Sequence, residues 1–242
     1  MNRFFVEPAL VAGPEVRLEG EIAHQISRVL RLEPGAKILL LDGLGFEYEV
    51  ELKVVQRLSK TDMALGRIVE QRDATGEPKV RLTLYQALLK GEKFDFVLQK
   101  GTEVGVSGFV PLLTERCVSQ AARPDRWKKI IREAAEQSRR GKLPELVEKP
   151  LNLSEALDRI KSSGQTAFMA WEEEETLSFH QLPAGITELA ILIGPEGGFS
   201  KSEAAQAEAA RVQTISLGKR ILRAETAGPI ATALALYQLG DM

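Results

Sequence analysis

The 242 residues carry 32 Lys or Arg against 34 Asp or Glu, with 44% hydrophobic and 27% charged content, the makeup of a soluble globular chain with mass for one large or two smaller domains. A net charge of −2 excludes a surface coated with positive charge, so any nucleic-acid face must be local. A lone Cys117 excludes an internal disulfide, His24 and His180 alone make no zinc ligand set, and no stretch reaches the roughly 18 apolar residues of a spanning helix, so neither metal nor membrane is expected.

Met1 to Phe5 lacks a signal-peptide core, and the expected compartment is the cytoplasm. Short β-like segments then run to about residue 72: Arg3 to Val6, Glu15 to Leu18, Lys37 to Leu41, Phe46 to Leu52 and Met63 to Val69. Asp42-Gly43-Leu44-Gly45 has the composition of a hairpin turn. One helix is predicted within this region, Glu21 to Leu30, with Ile22, Ile26, Val29 and Leu30 on one face, and Pro34-Gly35 closes it. The region 1–72 therefore reads as a small β-barrel or sandwich, and the polar stretch Gln71 to Pro78 as a linker.

From residue 73 onward strands and helices alternate, the rhythm of a largely parallel sheet covered by helices. The apolar runs predict strands at Val80 to Ala87, Ser107 to Leu113, Thr166 to Trp171, Glu188 to Ile193 and Val212 to Leu217. Helices are predicted at Lys93 to Val104, Pro124 to Arg140, Ser154 to Ser162, Ser200 to Ala210 and Ala224 to Leu239. The acidic run Glu172 to Glu175 reads as a solvated loop.

Two glycine turns carry the functional argument. The strand ending at Ile193 runs into Gly194-Pro195-Glu196-Gly197-Gly198-Phe199, and Ser200 with Glu203 forms a capping box for the next helix. Glycines let backbone approach a ligand closely, and exposed N–H and C=O groups read the edge of an adenine-like ring. The spacing is neither the dinucleotide fingerprint nor a P-loop, and a plain tight turn is the competing reading. The strand ending at Leu217 runs into Gly218-Lys219-Arg220-Ile221-Leu222-Arg223-Ala224-Glu225-Thr226-Ala227. Ligands of open parallel sheets bind beyond the carboxyl ends of strands, so both turns are expected to line one pocket. For Arg223 and Glu225 the alternative is a salt bridge capping the last helix.

The charge balance is uneven along the chain. Between Arg116 and Lys142 nine Lys or Arg face three acids. On the helix predicted over Pro124 to Arg140, the apolar face is Trp127, Ile130, Ile131, Ala134, Ala135 and Ser138. Lys128, Arg132 and Arg139 fall together on one flank at about 100° per residue, a candidate RNA surface, with ordinary solvated charge as the alternative. Arg28 and Arg31 form a weaker patch, and His24 is as readily a structural histidine.

The strings Ile193 to Phe199, Leu217 to Ala227 and Thr102-Glu103-Val104-Gly105 resemble the SPOUT class of RNA methyltransferases. More narrowly they resemble the bacterial family that methylates N3 of a uridine in 16S, small-subunit, ribosomal RNA. Arg3-Phe4-Phe5, His24 to Leu32, Pro111 to Val118 and Trp127 to Arg139 match as well, so the resemblance spans nearly the whole chain. Gln25, where a second histidine is common, and Ala224, where threonine is common, depart from the pattern.

The resemblance implies a PUA-like RNA-binding β-barrel over 1–72 and, over 73–242, a SPOUT-like α/β domain with a parallel sheet and a trefoil knot. It also implies a homodimer with its active site at the subunit interface, S-adenosyl-L-methionine as cofactor, and small-subunit ribosomal RNA or the assembled small subunit as partner. The residues it marks for the cofactor are Ile193, Gly194, Pro195, Glu196, Gly197, Leu217, Gly218, Ile221, Leu222, Arg223, Glu225 and Thr226. For catalysis it marks Arg139, Arg223, Glu103 and Glu225. For RNA it marks Arg3, His24, Arg28, Arg31, Arg116, Lys128, Arg132 and Arg139. A non-catalytic RNA-binding or ribosome-assembly factor, or a methyltransferase of the same class acting at another RNA site, is the alternative.

Overall fold

In a computed structural model the described residues are 1–57, 61–118 and 121–242. Contacts divide them into two units, 1–77 with 135–143, and 78–134 with 144–242. The boundary read at 72/73 falls slightly early, and the return of 135–143 to the first unit leaves no mark in the residue pattern.

In the first unit β1 (Arg3–Phe5), β2 (Glu15–Glu19), β3 (Lys37–Leu41), β4 (Phe46–Gln56) and β5 (Met63–Asp73) form one sheet in the order β1-β3-β4-β5-β2. Alternation builds it. Val16 and Leu18 of β2 enter the core with Ile38, Leu40, Val50 and Leu52, while Glu15, Arg17 and Glu19 stay in water. Register shifts at Glu49/Val50 and Leu52/Val54 bend β4 and curl the sheet. β1 and β2 stay at its two edges, so this is a curled mixed sheet rather than a closed barrel. The expected turn is present: Asp42 Oδ1 accepts the N–H groups of Leu44 and Phe46 at 2.8 and 3.1 Å.

Two segments differ from expectation here. The first three residues of the supposed linker are strand, because β5 runs on to pair Asp73 with Phe46, and Arg72 is tied across the ladder to Glu47 at 2.6 Å. The single predicted helix is α1 (Gly20–His24) followed by a π-helical turn at Gln25–Val29, where Leu30 N–H reaches Gln25 O at 2.8 Å. The wide turn brings Ser27 Oγ and Arg28 Nε onto the buried carboxylate of Asp62, at 3.0 and 2.7 Å. The Arg28 guanidinium is the main reason the Asp62 carboxyl is held down to about 2, against the opposing pull of burial.

The second unit contains β6 (Arg81–Ala87), α2 (Lys93–Val104), β7 (Gly108–Leu113), α3 (Pro124–Gln137, whose last residues count with the first unit), β8 (Glu145–Leu146) and β9 (Leu151–Asn152). It continues with α4 (Leu153–Ser163), β10 (Thr166–Ala170), β11 (Glu188–Ile193), α5 (Lys201–Ala209), β12 (Gln213–Ile215) and α6 (Ala224–Gln238). The sheet is parallel, in the order β12-β10-β11-β6-β7-β8, with β9 also on β7. Central strands are apolar on both faces because both are covered. On one face Val97, Trp127 and Leu236 of α2, α3 and α6 pack in a buried layer with Leu84 of β6, and on the other Leu157 and Ala207 of α4 and α5 pack with Leu192 of β11. The two-residue strands β8 and β9 are too short to carry a period and were not expected.

Helix α3 stops at Gln137, and Arg139 adopts a left-handed φ of 64°. The helical phase that grouped Arg139 with Lys128 and Arg132 therefore does not reach it. Trp127, Ile131, Ala134 and Ala135 are buried as expected, and Trp127 packs on Phe94 with ring centroids 4.7 Å apart.

Candidate functional site

β12, β10 and β11 are neighbours in that order, so their carboxyl ends emerge side by side. The turn after β11, the loop after β10 and the segment after β12 enclose an open cavity of about 1040 Å³. The first turn is tight: Gly198 N–H donates to Pro195 O at 2.9 Å. A Cβ on Gly194 would sit 3.1 Å from the backbone of Gly198 and Phe199, so this position has no room for a side chain. Gly198 has φ +67, which a side chain rarely adopts. The expected capping box forms, with Glu203 N–H to Ser200 Oγ at 3.2 Å and Ser200 N–H to Glu203 Oε2 at 2.9 Å. Glu203 Oε1 also accepts Glu115 N–H at 2.8 Å, which fixes the loop after β7.

Both glycine turns thus meet at one cavity. Ile193, Gly194, Pro195, Glu196, Leu217, Gly218, Ile221, Leu222, Arg223 and Glu225 line it, whereas Gly197 and Thr226 stand just outside. Gly197 is instead the seat of Arg116, whose Nη1 donates to its carbonyl at 2.7 Å. Glu103 is not in the lining and is paired on α2 with Lys100 at 2.8 Å. Arg139 belongs to the first unit.

The helix-capping alternative for Arg223 and Glu225 is weak: the pair is 4.0 Å apart and the Arg223 side chain is 83% exposed. Glu225 is the more informative partner. Its Oε2 is buried and has no hydrogen-bond partner among the described residues, and the Lys93 ammonium at 3.6 Å is an ion pair too long to be a hydrogen bond. A buried carboxylate oxygen without a donor is costly to maintain, and a donor supplied by a ligand removes that cost.

Several wall residues escaped the sequence reading. The acidic run is not a mere solvated loop, since Glu172, Glu174 and Glu175 line the cavity and Glu173 pairs with Lys201. Glu174 organises the loop after β10: it accepts the N–H groups of Thr176 and Leu177 at 2.7 and 3.0 Å and the hydroxyls of Thr176 and Thr214. These bonds, the Thr176 hydroxyl foremost, hold its carboxyl down to about 2. Lys93 also lines the cavity, beside Lys219 and Arg220 of the expected turn. Lys93 had a signal available, because it opens α2 just beyond the carboxyl end of β6, at the end of the sheet where ligands bind.

The residues read as RNA contacts divide. Arg3 lies in a largely buried ion pair with Glu47 at 2.6 Å, and Arg28 and His24 both engage Asp62. Lys128 pairs with Glu148. Arg31, at φ 52°, is exposed, as are Arg116 and Arg132.

A family model described as RNA methyltransferase domain matches residues 76–236, and one described as RNA methyltransferase PUA domain matches residues 18–60. The ribosomal RNA small subunit methyltransferase E of Bacillus subtilis is 31% identical, the alignment covering 98% of this chain and 97% of that protein. Its counterpart in Synechocystis sp. is 34% identical, covering 96% of this chain and 78% of that protein. Among solved structures, a ribosomal RNA small subunit methyltransferase E from Neisseria gonorrhoeae bound to S-adenosyl methionine superposes with a TM-score of 0.89 at 33% identity, covering 98% of this chain and 97% of that one.

Proposed function

Because the chain belongs to the RNA methyltransferase family, we propose that it methylates N3 of a uridine in 16S ribosomal RNA, with S-adenosyl-L-methionine as donor. The observation that carries this reading is the meeting of both glycine turns at a cavity that also holds the unpartnered oxygen of Glu225. Relatives aligned over nearly the full chain act on small-subunit ribosomal RNA by name, and one was solved with this cofactor.

The residues present suit the cofactor. Gly218 leaves backbone open for an adenosine edge, and the cavity has both carboxylates and cations for an amino acid portion. When bound, the cofactor supplies an electrophilic methyl group on a positively charged sulfur. The chain must then align that carbon with N3, which is a poor nucleophile until its proton leaves. Glu225 Oε2, free and buried, is the proton acceptor in this reading, and the exposed guanidinium of Arg223 stabilises the developing imide anion. Glu103 and Arg139 are carried as further catalytic candidates by their places in the matching motifs. Because N3 lies on the pairing edge, the target base is taken unpaired or splayed out.

For RNA contact we favour Arg31 and Arg139, both exposed, over Arg3 and Arg28, whose guanidinium groups already serve ion pairs within the first unit. The trefoil knot has support in the path of the chain, which leaves β12 at one edge of the sheet and returns as α6 against α2, β6 and β11. A homodimer has support in α6, where Ile230, Leu234 and Tyr237 recur at i, i+4 and i+7 and are each at least two-fifths exposed. Light scattering is expected to give twice the chain mass, and a monomer at working concentration removes the dimer. Among the described residues no helix is long and apolar enough to cross a membrane, and the cytoplasm is the compartment that fits the substrate.

The test is mass spectrometry of nucleosides from small-subunit ribosomal RNA of cells with and without the protein, followed by incubation of deficient RNA or particles with enzyme and cofactor. Loss and restoration of 3-methyluridine is expected. Loss of a different methylated nucleoside keeps the class and moves the target; no change at all leaves a non-catalytic RNA-binding factor.

A further inference from the structure

Lys93 stands where two walls of the cavity come closest in charge. Its ammonium lies 3.3 Å from Glu196 Oε1, in the turn after β11, and 3.6 Å from Glu225 Oε2, in the first turn of α6. It projects from the first residue of α2, so it joins three segments that are remote in sequence. Glu196 is further tied down by Lys90 N–H at 3.2 Å. Glu225 Oε2 has no such donor among the described residues, and the side chain is only 15% exposed.

We propose that Lys93 is a positioning residue that keeps Glu225 ionised, one ammonium serving as shared counter-charge to Glu196 and Glu225 so that the free oxygen of Glu225 faces the ligand as an acceptor. This rests on the reading of Glu225 as the proton acceptor. The physical case is one of numbers of charges. Facing Glu225 are Lys93 from α2, Arg223 at 4.0 Å from the segment after β12, and Glu196 across Lys93. Around the rest of the cavity stand Glu172, Glu174 and Glu175 from the loop after β10, with Lys219 and Arg220 beyond β12. Take Lys93 away and the two carboxylates keep only Arg223, solvent-exposed and 4.0 Å from Glu225, as a nearby counter-charge. A carboxylate beside a like charge, partly removed from water, regains its proton at higher pH. A protonated Glu225 cannot take the N3 proton.

The sign follows. In Lys93→Met the counter-charge is gone and the Glu225 midpoint moves upward, so the acceptor is lost as pH falls and returns as pH rises. The direct measurement is a carboxyl-carbon NMR titration of the full chain labelled at glutamate Cδ, with the Glu225 signal identified by its loss in Glu225→Gln. The expected result is an upward midpoint in Lys93→Met and a wild-type midpoint in Lys93→Arg, which keeps the charge. An unchanged midpoint in Lys93→Met overturns the proposal, and so does a shift that Lys93→Arg fails to reverse. Single-turnover methyl transfer adds a second readout: Lys93→Met should lose rate chiefly on the acidic side, whereas a uniform loss at every pH assigns Lys93 to structure alone and also overturns it. The NMR arm uses neither cofactor nor RNA, so absence of 3-methyluridine in cells would sink the methylation reading without deciding the titration.

Discussion

Gly194→Val is expected to abolish measurable cofactor binding and to slow methyl transfer on the order of 100-fold or more. A Cβ at this position falls 3.1 Å from backbone atoms of Gly198 and Phe199 and 3.2 Å from the Phe199 ring. Backbone cannot swing aside as a lysine tip does, so the turn itself must open. The loss arises because the turn presents Ile193 to Glu196 to the cavity, and a shift of a few tenths of an ångström misplaces every group on it. Gly197→Val makes the matched control. There the new Cβ meets only the Arg116 side chain, at 3.3 Å and beyond, and Gly197 is not in the lining. A markedly smaller loss is expected. Calorimetric titration with S-adenosyl-L-methionine decides, with circular dichroism to confirm folding and Gly194→Ala as the milder variant. Unchanged affinity in Gly194→Val moves the cofactor elsewhere.

The second large effect is on stability. Glu77→Ala is expected to cost the first unit about 3–5 kcal/mol, the range for removing one partner of a buried ion pair. The Arg140 side chain is 3% exposed and Glu77 17%. Glu77 Oε2 meets Arg140 Nη2 at 2.9 Å, and Oε1 accepts the N–H groups of Gly141 and Lys142 at 2.9 and 3.0 Å. One carboxylate thus holds a guanidinium and two backbone donors. Removing it takes from a buried guanidinium and from the N–H groups of Gly141 and Lys142 the carboxylate that they share. Urea unfolding followed by far-ultraviolet circular dichroism should show the transition of the first unit at clearly lower denaturant. A midpoint unchanged from wild type would mean that the guanidinium finds water or another acceptor at little cost.

What was legible in the sequence was what repeats locally. The strands of both sheets and the long helices follow from periodicities of two and 3.6, and the capping box of Ser200 and Glu203 closes within four residues. The glycine turns were legible for the same reason, and the parallel sheet then placed them side by side. The misses have a common physical origin, namely single contacts between residues distant in the chain. Nothing near Glu174 foretells Thr214, nothing near Glu77 foretells Arg140, and Asp62 reshapes a helix from more than thirty positions away. Arg139 was misplaced on a helical wheel because no local residue announces that α3 ends at Gln137. The family resemblance supplied what periodicity could not, the cofactor and the reaction.

The split make-up of the first unit has a consequence for how the protein is made. Its sheet is complete once residue 77 has been synthesised, but the segment 135–143 that covers Phe5 and Leu41 and brings Arg140 to Glu77 is not. At about 5–20 residues per second, on the order of 3–13 s pass before that segment exists. In the interval a nascent chain exposes an apolar patch and an unpaired carboxylate, and much of the second unit emerges before the first is finished. A gene fragment ending near residue 77 would reproduce that unfinished state permanently. The first unit is therefore not a detachable module that recombination could move between proteins; it is inherited together with the second unit or not at all.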